Sequence, residues 1–134
     1  MSKLVLLIDD DEDEGHIFKE ALQKLHSSHK FMYIQNAENG LKLLNWLLPD
    51  YIFIDINMPK IDGFECLSQI KKLKNLKNVP VILYSTGANL SIRTKALELG
   101  AADCIAKTYS ITSLAEKLYS ILSSKQITTT NSIL

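Results

Sequence analysis

The sequence predicts an α/β fold, a parallel sheet with helices on both faces. Two observations carry that prediction. Short, continuous apolar runs alternate with amphipathic stretches five times along the chain, and turn-forming residues fall at the breaks. Alternation of this kind leaves parallel strands joined by helical crossovers as the expected topology. The chain has 134 residues, enough for one domain and not comfortably two.

The first run, Leu4-Val5-Leu6-Leu7-Ile8, is apolar throughout and stops abruptly at Asp9. A run without alternation suits a strand buried on both faces. Residues 31–35, 51–54 and 81–84 have the same character, and residues 102–106 form a weaker fifth strand. Between them lie stripes at helical spacing. Ile17, Ala21 and Leu25 share a face with Phe18 and Leu22, and Leu41, Leu44 and Leu48 make a second stripe. Phe64, Leu67, Ile70 and Leu73 make a third, and Ile92, Ala96 and Leu99 a fourth. Ile111, Leu114, Leu118 and Ile121 make the fifth. Pro49, Asp62-Gly63, Pro80 and Gly100 punctuate the order, and Gly100 suits a helix C-cap. The Ser- and Thr-rich end has weak periodicity, so residues 125–134 are expected to form a flexible tail beyond a domain spanning 1–124.

Fifteen basic residues balance fifteen acidic ones, which argues against direct nucleic-acid or membrane binding through net charge. Lys71, Lys72, Lys74 and Lys77 read as a solvated helix face and its following loop. No apolar stretch reaches the ~18 residues of a membrane span. The first apolar run is too short for a secretory signal, so a cytoplasmic location is expected, with Cys66 and Cys104 as free thiols. His16, His26 and His29 lack metal-ligand spacing and read as ordinary helix and loop residues.

In open parallel sheets, ligands bind beyond the carboxyl ends of the strands. Here the first strand ends in Asp9-Asp10-Asp11, the third in Asp55, the fourth in Ser85-Thr86 and the fifth in Lys107. Each has an ordinary explanation by itself: a helix start, a turn, a loop, a surface lysine. Their joint placement on one rim makes coincidence a poor account. Clustered carboxylates repel unless a cation lies among them, and Mg²⁺ favours oxygen ligands. A carboxylate can act as a nucleophile towards phosphorus, and a transferring phosphoryl group needs positive charge and donors around its oxygens.

These stretches resemble the receiver domains of two-component response regulators. The resemblance rests on Val5-Leu6-Leu7-Ile8-Asp9-Asp10-Asp11-Glu12, on Asp55-Ile56-Asn57-Met58-Pro59-Lys60-Ile61-Asp62-Gly63, on Pro80-Val81-Ile82-Leu83-Tyr84-Ser85, and on Gly100-Ala101-Ala102-Asp103 leading to Lys107. It covers roughly residues 3–124. It implies a flavodoxin-like (βα)5 sheet with strand order 2-1-3-4-5. It implies Asp55 as the phosphoacceptor, Asp10 as a direct Mg²⁺ ligand and Asp9 acting through a metal-bound water. The Asn57 backbone carbonyl would complete the protein ligands, Ser85 would hydrogen-bond the phosphoryl group, and Lys107 would pair with one of its oxygens. The implied donor is a histidine kinase or a histidine phosphotransfer protein. With no output module resembled, the implied signal passes to an unknown partner protein or along a phosphorelay, with homodimerisation through the face of the fourth helix, fifth strand and fifth helix as a further expectation.

Two positions depart from the family pattern. Thr108 stands where proline usually follows the lysine, and a cis bond before a non-proline residue costs ~3–4 kcal/mol, so a trans bond is expected. Cys104 stands where an aromatic switch residue is common, so the Ser85–Asn89 loop and the start of the fourth helix are expected to carry the switch.

Three rival readings follow from the same rim. An FMN-binding flavodoxin-like protein would use Ser85-Thr86-Gly87-Ala88-Asn89 as a phosphate loop, but the aspartates ending the first strand repel a flavin phosphate. An aspartyl-phosphate phosphatase would carry a second Asp where Asn57 stands. A pseudo-receiver would bind a partner without phosphorylation, and labelling by a small phosphodonor separates it from a working acceptor.

Overall fold

The computed structural model describes residues 2–25 and 28–133, with side chains as far as residue 123. Its strands are β1 (Leu4–Ile8), β2 (Lys30–Ile34), β3 (Tyr51–Asp55), β4 (Val81–Ser85) and β5 (Asp103–Ala106). Its helices are α1 (Glu12–Gln23), α2 (Ala37–Leu43), α3 (Gly63–Ile70), α4 (Leu90–Glu98) and α5 (Ile111–Ile133). The strands form one five-stranded sheet in the order β2-β1-β3-β4-β5, and every pairing is parallel. This is the flavodoxin-like order.

Alternate strand residues feed opposite faces, which is why the strands read as continuous apolar runs. Leu6, Ile8, Ile52, Ile54, Val81 and Leu83 pack towards Leu44 at the end of α2, Leu67 and Ile70 of α3, and Ala96 of α4. Val5, Leu7, Phe53, Ile82 and Tyr84 pack towards Phe18 of α1 and Leu114 and Leu118 of α5. Each fully buried aliphatic or aromatic side chain contributes roughly 1.5–3 kcal/mol relative to leaving it exposed. Phe18 anchors the second face, with ring centroids 5.6 Å from Phe31, 5.0 Å from Phe53 and 6.0 Å from Tyr84.

Helix starts follow local chemistry. Asp11, Asn36, Asp62 and Asn89 are N-caps whose side chains accept from backbone N–H groups one turn in. Each such cap is worth about 1 kcal/mol.

The strands differ from the sequence reading by a residue or so at their ends. β3 and β4 each run one residue further, because Asp55 pairs with Tyr84 and Ser85 with Ala106. Leu48 is a correction: α2 ends at Leu43, and Leu48 lies beyond it with 62% of its surface exposed. The Leu41–Leu44 spacing was helical, but the chain leaves α2 through one last turn, closed by the Leu47 N–H on the Leu43 carbonyl at 3.0 Å, and Leu48 falls beyond it on the way to Pro49. His16 is exposed, His29 accepts from the Lys3 N–H at 3.1 Å, and His26 lies outside the described residues. Both cysteines are buried free thiols. The expected tail over residues 125–134 overlaps the last turns of α5, and side chains there lie outside the described residues. No helix among the described residues is long and apolar enough to cross a membrane.

Candidate functional site

The parallel register brings the ends of β1, β3, β4 and β5 to one edge of the sheet. Asp9 directly follows β1, and its N–H donates to the Ile34 carbonyl at 3.1 Å, continuing the pairing with β2. Its Oδ1 accepts from the Asp11 N–H at 3.0 Å, and its carbonyl accepts from the Tyr33 hydroxyl at 2.7 Å. Asp55 is the last residue of β3, and its Oδ1 accepts from the Asn57 N–H at 3.2 Å. Ser85 ends β4, and its carbonyl accepts from the Lys107 N–H at 2.8 Å, which sets the lysine at the edge of β5. Asp9, Asp55 and Ser85 are the buried polar side chains of the described residues, at 0%, 2% and 1% exposure.

The loop that carries Asp55 depends on a glycine. Gly63 donates from its N–H to the Ile56 carbonyl at 2.8 Å, closing the segment back onto β3. A Cβ at Gly63 would lie 2.6 Å from the Asp55 carbonyl oxygen and 2.7 Å from Ile56 Cα. The turn before it places Lys60 at φ 67°, in the left-handed region.

Lys107 Nζ reaches into the carboxylates. It lies 2.9 Å from Asp55 Oδ1 and 3.4 Å from Asp9 Oδ2, and it also binds Glu14 Oε1. Beneath it, Nζ is 5.3 Å from the centroid of the buried Tyr84 ring. Burial first, then the neighbouring Glu14 carboxyl, pushes Asp9 up to about 8. Burial also raises Asp55, while Lys107 pulls it back down. For Lys107 burial favours the neutral amine, yet the hydrogen bonds to Glu14 and Asp55 outweigh it and hold the ammonium above its usual range. Burial, helped by Glu14, pushes the Tyr84 phenol up to about 12.

These groups fit a divalent cation. One carboxylate oxygen from each of Asp9, Glu14 and Asp55 lies within 4.8 Å of the others. Asp9 Oδ2 is buried and has no hydrogen bond among the described residues. An unsatisfied buried oxygen facing two other carboxylates is a place for positive charge, and an all-oxygen donor set suits a hard ion such as Mg²⁺.

Residues 5–119 match the family model described as the response regulator receiver domain. The chain belongs to the response regulator receiver family. It is 36% identical over 124 residues to the transcriptional regulatory protein CpxR homolog of Haemophilus influenzae, covering 91% of this chain and 51% of that protein. It is 33% identical over 112 residues to the sensor histidine kinase CheAY of Helicobacter pylori, covering 80% of this chain and 13% of that protein. The chain thus spans about half or less of these curated relatives. Its fold matches the crystal structure of the phosphorylated cyanobacterial phytochrome response regulator RcpA with a TM-score of 0.80 and 25% identity, covering 92% of this chain and 94% of that one.

Of the residues singled out in the sequence, this receiver brings Asp9, Asp55 and Lys107 into direct contact. Ser85 stands on the neighbouring strand end, with its Oγ accepting from the Gly87 N–H at 3.1 Å. Asn57 is exposed beside Asp55. Asp10 is exposed too, but its carboxyl lies close enough to Asp55 to help raise it. No peptide bond among the described residues is cis, so Lys107–Thr108 is trans.

Glu14 was missed. It follows the Asp11 cap by three residues, the position from which a glutamate reaches back to the cap's own N–H in a capping box. That N–H is already bonded to Asp9 Oδ1, so the Glu14 side chain turns into the rim instead. The signal in the sequence was Asp10 and Glu14 standing four apart, which places them on one face of a helix start.

Proposed function

We propose that this receiver is a phospho-acceptor switch that takes a phosphoryl group onto Asp55 from a histidine kinase or a histidine phosphotransfer protein. The observation that carries this reading is the buried Asp55 carboxylate held 2.9 Å from Lys107 at the open edge of the sheet. A nucleophilic carboxylate oxygen needs a cation nearby to receive the charge of the incoming group. Asp55 Oδ attacks the phosphorus of a phosphohistidine, the P–N bond breaks, the imidazole nitrogen leaves with its electron pair and takes up a proton, and an acyl phosphate remains on Asp55. Lys107 pairs with a phosphoryl oxygen, and the Ser85 hydroxyl, accepting from Gly87 while its own hydrogen stays free to donate, supplies a hydrogen bond.

Asp9, Asp10, Asp55 and the Asn57 carbonyl would hold Mg²⁺. When bound, the ion supplies positive charge to the phosphoryl oxygens and to the carboxylate cluster. The chain is then a regulator promoting its own phosphorylation and slow dephosphorylation, and not an enzyme turning over a separate substrate. We place it in the cytoplasm and assign the receiver unit to residues 1–124, with 125–134 as an appendage. Its output passes to a partner protein or along a phosphorelay. Leu90 and Leu97 on α4 and Tyr119 on α5, exposed by 80%, 55% and 64%, support an apolar contact surface there for a partner or a second copy.

Incubation with Mg²⁺ and acetyl phosphate, followed by intact mass, tests the assignment. One added phosphate is expected in the wild type and none in Asp55→Asn. Undiminished labelling of that variant would sink it.

A further inference from the structure

We propose that Glu14 is the resting counter-ion of Lys107, a positioning residue that holds the lysine until a phosphoryl group on Asp55 takes it over. This rests on the reading of Asp55 as phosphoacceptor.

The geometry divides one ammonium among three carboxylates. Lys107 Nζ meets Glu14 Oε1, Asp55 Oδ1 and Asp9 Oδ2. An ammonium has three N–H donors. Glu14 and Asp55 each take a hydrogen bond from it. The Asp9 contact is an ion pair without one, and Asp9 Oδ2 is left without a hydrogen bond among the described residues. The lysine is therefore drawn towards α1 by Glu14. The Glu14 side chain is only 15% exposed, so little water shields this pairing.

A phosphoryl group on Asp55 changes the competition. It adds about −1.5 to −2 charges and three strong acceptor oxygens at the end of the Asp55 side chain. Those oxygens and Glu14 then claim the same ammonium. Glu14 also presents a like charge to the arriving donor. Both effects run the same way: they slow capture of the phosphoryl group. A neutral glutamine of the same length keeps the packing and a carbonyl acceptor but removes the charge.

The test compares wild type with Glu14→Gln and Glu14→Ala, each checked by thermal melting for an intact fold. In the metal-free, unphosphorylated protein, the Lys107 side-chain ammonium should give a ¹H–¹⁵N signal protected from exchange, and protection should fall in both variants. With Mg²⁺ and acetyl phosphate, labelling of Asp55 in Glu14→Gln should run faster by on the order of five-fold, the size of a modest, partly screened like-charge interaction. Mg²⁺ affinity, read by titration, should change less than the labelling rate, because Asp9, Asp10, Asp55 and the Asn57 carbonyl are the proposed ligands and Glu14, though near enough to reach a cation, is taken up by Lys107. Unchanged ammonium protection, or labelling that is unchanged or slower in a folded Glu14→Gln, would overturn the proposal. So would a more than tenfold loss of Mg²⁺ affinity, which would make Glu14 a metal ligand. A wild-type chain that takes no phosphate while its ammonium signal still depends on Glu14 would instead defeat the phosphoacceptor reading and leave the resting pair standing.

Discussion

Arg93 of α4 donates from Nη1 to the Cys104 carbonyl of β5 at 2.6 Å. Its other terminal nitrogen lies 3.8 Å from Asp103 Oδ1, a half-exposed pair that solvent weakens. Cys104 itself is buried, with no ring to turn. One arginine nitrogen bonded to the backbone therefore ties α4 to the strand that leads to Lys107, one turn after the Asn89 cap that ends the Ser85 loop.

Arg93→Ala should accordingly loosen α4 without disturbing the acceptor site. Hydrogen exchange in α4 is expected to quicken, with a stability loss of about 1.5 kcal/mol, the lower end for a hydrogen bond to a charged group. Ser85→Ala should strongly weaken phosphorylation-dependent partner binding or dimerisation, and Cys104→Ala should change it little. Loss of the phosphorylation response in a Cys104→Ala chain that still folds and labels would contradict this division.

The raised Asp9 carboxyl links stability to pH. Its folded value of about 8 lies above the ordinary 3.8, so the folded state binds the extra proton between those values. Stability of the metal-free chain should therefore fall as pH rises from about 4 to about 8, because ionised Asp9 is penalised only when folded. Asp55, also raised, acts in the same sense. Mg²⁺ needs the ionised carboxylates, so its apparent affinity should climb over the upper part of this window, with proton release on binding. Melting curves from pH 5 to 8.5, with and without Mg²⁺, check both. Asp9→Asn should flatten the metal-free slope, and Asp10→Asn, at an exposed position, should raise the metal-free melting temperature less than Asp9→Asn does. A wild-type melting temperature that rises with pH over this range would contradict the argument.

Removing the shared cation should be costly. Lys107→Ala leaves the carboxylates of Asp9, Asp55 and Glu14 facing one another. Breaking a buried pair from one side costs about 3–5 kcal/mol. The loss should be larger at pH 8 than at pH 5, where Asp9 is protonated. Lys107 is charged at both values, so the difference belongs to the carboxylates. Equal losses at the two values, measured by denaturant unfolding, would rule out this account.

Gly63→Ala should be felt at Asp55. The added Cβ meets backbone on β3, which has no flexible end to move aside. A destabilisation of roughly 1–3 kcal/mol is expected, as for other overpacked sites. Labelling of Asp55 should slow as well, since the clash falls on its own carbonyl. Wild-type stability in Gly63→Ala would show that the loop relaxes freely.

The order of elements was legible in the sequence because each strand is buried on both faces and each helix on one, and burial writes a period into the chain. Val5 and Leu6 both had to be apolar, whichever face each one joined. The strand-end residues Asp9, Asp55, Ser85 and Lys107 were legible for the same reason, since polar groups interrupt those runs only where the sheet stops. The tertiary structure decided what periodicity does not encode. It ended α2 before Leu48, because a short helix stops where the chain must turn towards the next strand. It turned Glu14 away from its cap and onto Lys107, because Asp9 had already taken the cap's N–H and the lysine arrives from the far end of the chain. Charges separated by 93 residues find one another only after the sheet is assembled, so a local pattern of helix-start acids carries no mark of the cation it will meet.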